Sequence, residues 1–245
     1  MIDFYYRDDS CVIYNGDCLE VMKDIPSGSI DMVLADPPYG TTACKWDTVI
    51  PFEPMWEQLK RVIKKNGAIV MTASQPFTSA LIMSNIKMFK YCWVWAKTRK
   101  TGFPNAKRQP LRNIEDVVVF YDKQATYNPQ GITRIDKNIF RDKPKNDTVN
   151  AGENDGSLCG NYIQEFTGYP NQVLQVKSTG NTIHPTQKPV ALMEYLIKTY
   201  TNEGETVLDF TMGSGTTLLA AKNIGRKAIG IELDKAYCDI GVKRL

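Results

Sequence analysis

Histidine is nearly absent from this sequence of 245 residues, in which His184 is the single imidazole. Serine and cysteine triads, and metal sites built from several histidines, depend on that side chain. The scarcity argues against both kinds of chemistry. We therefore expect no bound metal, and a reaction whose catalytic groups are of other types.

Long apolar runs are missing as well, and no stretch approaches the roughly 20 residues that cross a bilayer. The six cysteines include no C-x-x-C pair, and a chain of this length needs no disulfide staples, so we expect reduced thiols. The opening residues lack the basic and apolar regions of a secretory signal. We expect a soluble cytoplasmic protein without a membrane partner, and leave open association with the nucleoid and a phage origin.

Charge of both signs is plentiful but unevenly distributed. The formal net charge is +3, whereas residues 97–145 hold 12 basic and 5 acidic side chains, so this segment carries +7 and the remainder −4. A basic segment within a slightly acidic protein is typical of contacts with phosphates. A solvated surface segment is the alternative.

Short runs of β-branched and aromatic residues alternate with segments of helical period. Most of the runs are uniformly apolar, as strands covered on both faces must be. The alternation predicts an α/β fold with a doubly wound, seven-stranded, mostly parallel sheet. Strands are predicted at 12–15, 30–35, 68–72, 91–96, 116–121, 206–210 and 228–232, and helices at 18–23, 54–65, 76–88, 189–200, 216–224 and 235–243.

One long segment, 123–182, breaks this alternation. It is rich in Gly, Asn, Asp, Pro and Lys and has few apolar anchors. Long structureless loops are uncommon inside a compact domain, so such a segment indicates a functional insert or partial disorder. We predict a main domain of residues 1–122 and 183–245, interrupted by an inserted region at 123–182.

A glycine-rich turn follows the strand that ends at Asp209 and opens the next helix. Gly213 and Gly215 let the backbone approach a ligand, and free amides at a helix N-terminus favour a carboxylate or phosphate. Glu232 ends the following strand, where a carboxylate can accept hydrogen bonds from ribose hydroxyls. Leu218 replaces the third glycine of a dinucleotide fingerprint and no G-K-[ST] follows, which weakens a dinucleotide site and a nucleotide triphosphatase. The alternative that this is a glycine-rich turn that binds no ligand is left open.

The sharpest motif is Asp36-Pro37-Pro38-Tyr39, at the carboxyl end of a buried strand. The prolines restrict the backbone, so the acceptors on this loop have little conformational freedom. Asp36 offers a carboxylate, Pro37 a carbonyl and Tyr39 a flat face for stacking. Together these groups fit a planar ring that bears an amine.

In this order, the two motifs resemble those of the amino-group DNA methyltransferases that use S-adenosylmethionine, in the permuted arrangement called the β class. The resemblance covers nearly the whole chain. The sequence H-P-T-Q-K-P at 184–189 is similar to the family segment that closes over the methionine part of the cofactor, and Asp17 to the acid that contacts its adenine. One departure is that Phe210 and Thr211 stand where Pro and Phe are typical.

This resemblance implies a Rossmann-like methyltransferase fold, S-adenosylmethionine as the cofactor, and 123–182 as the target-recognition region. The catalytic residues it implies are Asp36, Pro37, Pro38 and Tyr39. The implied cofactor-binding residues are Asp17, Asp36, Thr186, Lys188, Asp209, Gly213, Ser214, Gly215, Thr216, Thr217 and Glu232. Contacts with the base or with DNA are implied for Tyr39, Lys97, Arg99, Lys100, Lys107 and Arg108, with Lys97 in the base pocket.

The reaction implied is direct methyl transfer to the exocyclic N6 of an adenine flipped out of duplex DNA. Asp36 and the Pro37 carbonyl would accept the two N–H bonds of the amine and orient its lone pair, without a covalent enzyme intermediate. Trp93 and Trp95 could contact the base or pack on the sheet. Because ligands bind where the order of parallel strands reverses, we expect the strands before Asp36 and Asp209 to be neighbours.

Two alternatives stay open. Methylation of N4 of cytosine uses the same geometry, although that group more often has Ser in place of Asp36. The alternative from another class is a catalytically inactive DNA-binding module, against which stand the intact Asp36, Tyr39, Gly213, Gly215 and Glu232. Double-stranded DNA is the expected partner, and a homodimer and a cognate restriction endonuclease are left open.

Overall fold

The computed structural model describes residues 3–42, 47–139, 162–177 and 187–245. In these ranges nine strands form one sheet, in the order β1-β2-β11-β10-β3-β4-β6-β5-β9, and two strands form a second. The strands are β1 Tyr6–Arg7, β2 Cys11–Asn15, β3 Ile30–Ala35, β4 Ile63–Ala73, β5 Phe89–Thr101, β6 Arg112–Phe120, β7 Thr133–Ile139, β8 Tyr162–Thr167, β9 Val173–Gln175, β10 Thr206–Asp209 and β11 Lys227–Glu232. The α-helices are α1 Cys18–Asp24, α2 Phe52–Val62, α3 Phe77–Ser84, α4 Val190–Tyr200, α5 Thr216–Asn223 and α6 Lys235–Arg244.

The centre of the large sheet is parallel. Strands β2, β11, β10, β3 and β4 pair parallel with one another, in that order. β6 pairs antiparallel with both β4 and β5, and β1 and β9 lie at the two edges. The prediction of a mostly parallel sheet is confirmed, and the seven predicted strands are the seven between these edges.

Both faces of the sheet are covered, as the apolar strands require. All six residues of β3 are buried. Side chains from α1, α2 and α3 pack on one face of the sheet, and side chains from α4, α5 and α6 pack on the other. The doubly wound α/β fold is therefore confirmed. No helix in the described ranges is long and apolar enough to cross a membrane.

Several predicted boundaries were wrong. The helix expected at 54–65 ends at Val62, because Ile63 pairs with Ile30 and begins β4. The helix expected at 76–88 ends at Ser84, and its neighbour Asn85 leaves the helical conformation. β5 runs beyond the predicted 91–96, since its antiparallel pairing with β6 continues outward along an exposed extension.

The chain divides into two compact units, Met1–Asn128 with Gln172–Leu245, and Pro129–Asn171. The segment predicted as an insert, 123–182, therefore contributes to both, because β9 pairs with β5 in the first unit. In the second unit β7 and β8 pair antiparallel, with Thr133 opposite Thr167. Neither strand was predicted. The role of 123–182 in target recognition stays a prediction.

Tyr200, at the end of α4, joins that helix to the sheet through its buried hydroxyl. Trp93 Nε1 donates to this oxygen at 2.7 Å, and the hydroxyls of Tyr200 and Tyr91 lie 2.9 Å apart. Two polar groups of β5 thus share one partner on the covering helix. Both indoles of β5, Trp93 and Trp95, are at most 4% exposed, so packing on the sheet describes them well.

We expect Tyr200→Phe to lower the free energy of unfolding by about 1–3 kcal/mol, because the buried Trp93 N–H loses its acceptor. Urea denaturation measures the loss. The matched control is Tyr127→Phe, since this ring is 40% exposed. Equal stability of the Tyr200 variant and the wild type would contradict the assigned hydrogen bond.

Candidate active site

The two sequence motifs meet at one edge of the sheet. β3 and β10 pair parallel, with Met32 opposite Val207 and Val33 opposite Leu208. The predicted adjacency of these strands is confirmed. Their carboxyl ends lead directly into the Asp36 loop and the glycine-rich turn, so residues far apart in sequence face the same space.

This space is a cavity of about 1100 Å³ within the first unit. It exceeds the roughly 300–1,000 Å³ of a typical small-molecule pocket, so a cofactor and a base could both enter it. Thirteen predicted residues line the cavity: Asp17, Asp36, Pro37, Pro38, Tyr39, Lys97, Arg99, Lys188, Asp209, Gly213, Ser214, Thr216 and Glu232. Thr186 lies outside the described residues.

The remaining predicted residues do not line the cavity. Gly215 faces α6, where a Cβ atom would lie 3.2 Å from Gly241 Cα, so its absent side chain allows helix packing. Thr217 is buried and hydrogen-bonds the Asp209 side chain. Lys100, Lys107 and Arg108 are exposed and are absent from the lining.

Both carboxylate oxygens of Asp36 accept hydrogen bonds from neighbouring side chains. Its Oδ1 accepts from the hydroxyl of Tyr39 at 2.7 Å and from the hydroxyl of Thr72. Its Oδ2 accepts from Lys188 Nζ at 2.7 Å. Both oxygens therefore have donors, and the Asp36 side chain is still 21% exposed towards the cavity.

Lys188 is the buried cation of the site, with a side chain 6% exposed. Besides Asp36 it has Glu115 as a second carboxylate, with Nζ and Oε2 separated by 3.5 Å. Burial alone would lower the pKa of this ammonium, but Asp36 and Glu115 raise it above its ordinary value. The protonated lysine neutralises the carboxylates beside the cavity.

Tyr39 has one face of its ring stacked on Phe77, at a centroid distance of 5.1 Å and an interplanar angle of 23°. The Lys188 ammonium also lies over this ring, with Nζ 5.8 Å from the ring centroid, and the ring lines the cavity. Burial, followed by the nearby Asp36 carboxylate, raises the pKa of Tyr39 well above its ordinary value. Its hydroxyl stays protonated and donates to Asp36.

The chain after Tyr39 is held by Asp47. Its carboxylate accepts from the amides of Gly40, Thr41 and Thr42 at 2.8, 2.9 and 2.6 Å. Burial would raise the pKa of Asp47, but the Thr42 side chain and these amides together lower it. A stable carboxylate thus anchors the loop that carries the Asp36-Pro37-Pro38-Tyr39 motif.

Asp209 ends β10 at the floor of the cavity. Burial raises its pKa to about 7, and the carboxylates of Asp36 and Glu232 add to the rise, against hydrogen bonds from Thr217 and Thr211. With a pKa near neutral pH, this carboxyl group exists in both protonated and ionised forms, so it can donate or accept a hydrogen bond. Because burial keeps water away from Asp209, a polar group of a ligand is a suitable hydrogen-bond partner for it.

Glu232 ends β11 opposite the glycine-rich turn. Its two oxygens accept from the amides of Gly213 at 2.9 Å and Asp234 at 2.8 Å. Each oxygen keeps a further lone pair, as a ribose-binding carboxylate needs. Burial raises the pKa of Glu232, and these two amides oppose the rise.

The two residues that depart from the family pattern, Phe210 and Thr211, have different surroundings. Phe210 is 1% exposed and packs in the core under β3 and β10. Among the described residues, Thr211 Oγ1 is buried at the cavity wall without a hydrogen-bond partner.

Two hydroxyls of the glycine-rich turn are bound to α6. The hydroxyls of Ser214 and Thr216 accept from Arg244 Nη1 of α6, at 2.9 and 3.0 Å.

The donors and acceptors at this end of the cavity fit an adenosyl group. Glu232 can bind ribose hydroxyls, and the orphaned Thr211 hydroxyl and the buried Asp209 carboxyl offer further polar partners. Asp17 lines the same cavity, although its side chain also caps α1 by accepting from the amides of Leu19 and Glu20. The described residues therefore suit the cofactor that the sequence implies.

Four residues around the motif were not predicted from sequence: Thr72, Phe77, Asp47 and Glu115. Thr72 lies within the buried part of β4, Phe77 begins α3, and Glu115 precedes the apolar run of β6. A polar residue next to a buried strand was the available signal for Thr72 and Glu115. Their partners become evident when β3, β4 and β6 are placed side by side.

Comparison with known proteins identifies the family. Residues 30–243 match the model of the DNA methylase family whose members methylate N6 or N4 amino groups, and the chain belongs to this family. It is therefore a methyltransferase that uses S-adenosylmethionine and acts on DNA.

Individual relatives agree with this assignment. The Type II methyltransferase M.HpaI of Haemophilus parainfluenzae is 28% identical over 93% of this chain and 71% of its own, and M1.MboII of Moraxella bovis is 28% identical over 92% of both. The crystal structure of the M1.HpyAVI–SAM complex is similar with a TM-score of 0.65 and 28% identity, covering 96% of this chain and 100% of that one. The PvuII DNA methyltransferase, described as cytosine-N4-specific, shares the fold with a TM-score of 0.72 and 18% identity over 99% and 90%.

Asp209 should make the stability of the ligand-free protein depend on pH. Between pH about 4 and 7 the folded chain keeps a proton on Asp209 that the unfolded chain has released, so raising the pH lowers the free energy of unfolding. In Asp209→Asn this contribution disappears. The stability of the wild type relative to the variant should fall by up to about 1.4 kcal/mol per pH unit across this window.

Urea denaturation at several pH values measures this difference. Asp122→Asn is the matched control, because Asp122 is exposed at the end of β6. A stability difference between wild type and Asp209→Asn that does not change with pH would show that Asp209 titrates normally.

Proposed function

We propose that this protein transfers the methyl group to the exocyclic N6 of adenine in double-stranded DNA, with the target base flipped into the cavity. The observation that carries the proposal is that the Asp36 loop and the Asp209–Glu232 end line the same cavity. One end offers acceptors for an amine, and the other offers partners for an adenosyl group.

The cofactor residues that we propose are those at the Asp209 end of the cavity, together with Asp17 and Lys188. When bound, S-adenosylmethionine supplies an electrophilic methyl group on a sulfonium. Asp209, Glu232 and the backbone of Gly213 would hold the adenosyl part. Gly215 and Thr217 support this end from behind, through α6 and Asp209.

Asp36, Pro37 and Tyr39 orient the amine in this proposal. The Asp36 carboxylate and the Pro37 carbonyl accept its N–H bonds, which keeps the nitrogen lone pair directed towards the adenosyl end. Tyr39 receives the base by stacking at the cavity, beside the Lys188 ammonium that lies 5.8 Å from the ring centroid. The gain comes from orientation and electrostatics, so no nucleophilic side chain is required.

N4-methylation of cytosine remains the second candidate, because cytosine also presents an amine beside a ring nitrogen. Its support is the fold shared with the cytosine-N4-specific PvuII enzyme. The leading Asp36 favours adenine. Mass spectrometry of methylated DNA digested to deoxynucleosides decides between them, since N6-methyl-2′-deoxyadenosine and N4-methyl-2′-deoxycytidine differ in mass. Product on cytosine alone would overturn the adenine assignment.

We expect Asp36→Asn to slow methyl transfer by at least about a hundredfold, because the amide replaces one anionic acceptor for the amine. Cofactor affinity should change little, since Asp209, Glu232 and the backbone of Gly213 are the groups proposed to hold the adenosyl part. Single-turnover transfer of labelled methyl to unmethylated genomic DNA and calorimetric titration of the cofactor measure the two effects. Asp122→Asn is the control, and a wild-type rate in Asp36→Asn would mean that the loop has been misinterpreted.

The basic segment and the second unit are proposed to bind DNA. Lys100, Lys107 and Arg108 lie exposed on and after the outer extension of β5, where they can reach phosphates. Lys97 and Arg99 line the cavity itself, so the same strand leads from the cavity to the basic surface. Phosphate contacts give affinity, and base edges must be read by other residues.

Removing Lys107 and Arg108 together should weaken DNA binding and reduce the salt dependence. The slope of the logarithm of the binding constant against that of salt concentration should become shallower by about 2, because two phosphate contacts are lost. Fluorescence anisotropy with labelled duplex DNA measures it. The matched control is Lys60→Ala with Lys65→Ala, two exposed lysines at the α2 end. An unchanged slope would remove this pair from the DNA interface.

A further inference from the structure

The Asp36 carboxylate that should accept the amine already has donors on both oxygens. Tyr39 and Thr72 donate to Oδ1, and Lys188 donates to Oδ2 at 2.7 Å. An incoming N–H must therefore share this carboxylate with an ammonium. Because the nitrogen gains positive charge as it is methylated, a lysine held at the same oxygen opposes the reaction.

Lys188 cannot simply withdraw into the protein. Its side chain is 6% exposed, and a buried ammonium without a counter-ion is strongly unfavourable. A second carboxylate within reach would remove this obstacle. The structure has one in Glu115, whose side chain is 13% exposed.

Glu115 is placed for this purpose at the same edge of the sheet. In the pairing of β4 with β6, Ala73 lies opposite Asp116, so Glu115 stands just beyond the carboxyl end of β4. Its Oε1 accepts from Lys97 Nζ. Its Oε2 is buried, has no hydrogen-bond partner among the described residues, and lies 3.5 Å from Lys188 Nζ.

We propose that Glu115 is a positioning residue that takes over the Lys188 ammonium when Asp36 turns to the base amine. A movement of Nζ by about 1 Å converts the 3.5 Å contact into a charge-assisted hydrogen bond and lengthens the one to Asp36. Both arrangements contain the same two carboxylates and two ammonium groups, so no uncompensated charge is buried in either. The inference rests on the proposed role of Asp36.

The charge of Glu115, rather than its shape, is what this role requires. Glu115→Gln keeps the size of the side chain and an acceptor for Lys97, but removes the anion. Glu115→Asp keeps the anion and withdraws it by one methylene. If Glu115 serves only as a partner of Lys97 or as packing, the Gln variant should work at nearly the wild-type rate.

The experiment is single-turnover transfer of labelled methyl to unmethylated genomic DNA, together with the cofactor dissociation constant by calorimetry. We expect Glu115→Gln to be at least about tenfold slower than wild type and Glu115→Asp about threefold slower, each with cofactor affinity within about threefold. Glu57→Gln, on the exposed face of α2, is the matched control.

A Gln variant within about twofold of the wild-type rate, or an Asp variant slower than the Gln variant, overturns the proposal. If Glu115→Gln does not bind cofactor because it fails to fold, a Glu115→Asp variant that binds cofactor but is more than about tenfold slower than wild type overturns it instead, since the anion would then be present without effect. Failure of the proposed function is a different result, since wild type would then transfer no methyl to DNA or Asp36→Asn would retain full activity. In either case the inference is lost with it.

Discussion

The parallel pairing of β3 with β10 is the constraint on which the site depends. It joins strands that are more than 170 residues apart, and it places the carboxyl ends of both at one edge of the sheet. A register set by buried apolar side chains is difficult to slip, because a shift of one residue would exchange the side chains that pack on the two covered faces. The relative position of the Asp36 loop and the glycine-rich turn is thereby fixed by the core.

Several charged side chains lie at this edge of the sheet, where little water reaches them. Asp36, Asp209, Glu115 and Glu232 are all partly or fully buried there, with Lys97 and Lys188 as cations that line the cavity. Lys188 is paired with carboxylates, whereas Asp209 has none of the cations as a close partner and its pKa rises to about 7. The two ends of the cavity therefore differ electrostatically, one charge-balanced and the other awaiting polar ligand groups.

Much of this architecture could be predicted from the sequence because short local sequence patterns determine it. Uniformly apolar strands, glycine at positive φ in Gly213 and the rigid Asp36-Pro37-Pro38-Tyr39 loop each carry their own signal. The switch point then follows from general rules of parallel sheets. Boundaries failed where pairing with a neighbour overrode helical period, as at Ile63, and edge strands failed because short polar segments have weak periodicity.

The charge network could not be predicted in the same way, because its partners come from separate elements. Lys188 follows β9, Glu115 lies on β6 and Asp36 follows β3, and the sequence contains no rule for which of several carboxylates faces a given lysine. A family pattern that assigns Lys188 to the cofactor does not reveal its contact with Asp36 at 2.7 Å. Because of that contact, one oxygen of Asp36 is already occupied by an ammonium group. If Asp36 accepts the amine as proposed, the Lys188 ammonium must give up one of its oxygens, and Glu115 on β6 is a second carboxylate 3.5 Å from this ammonium.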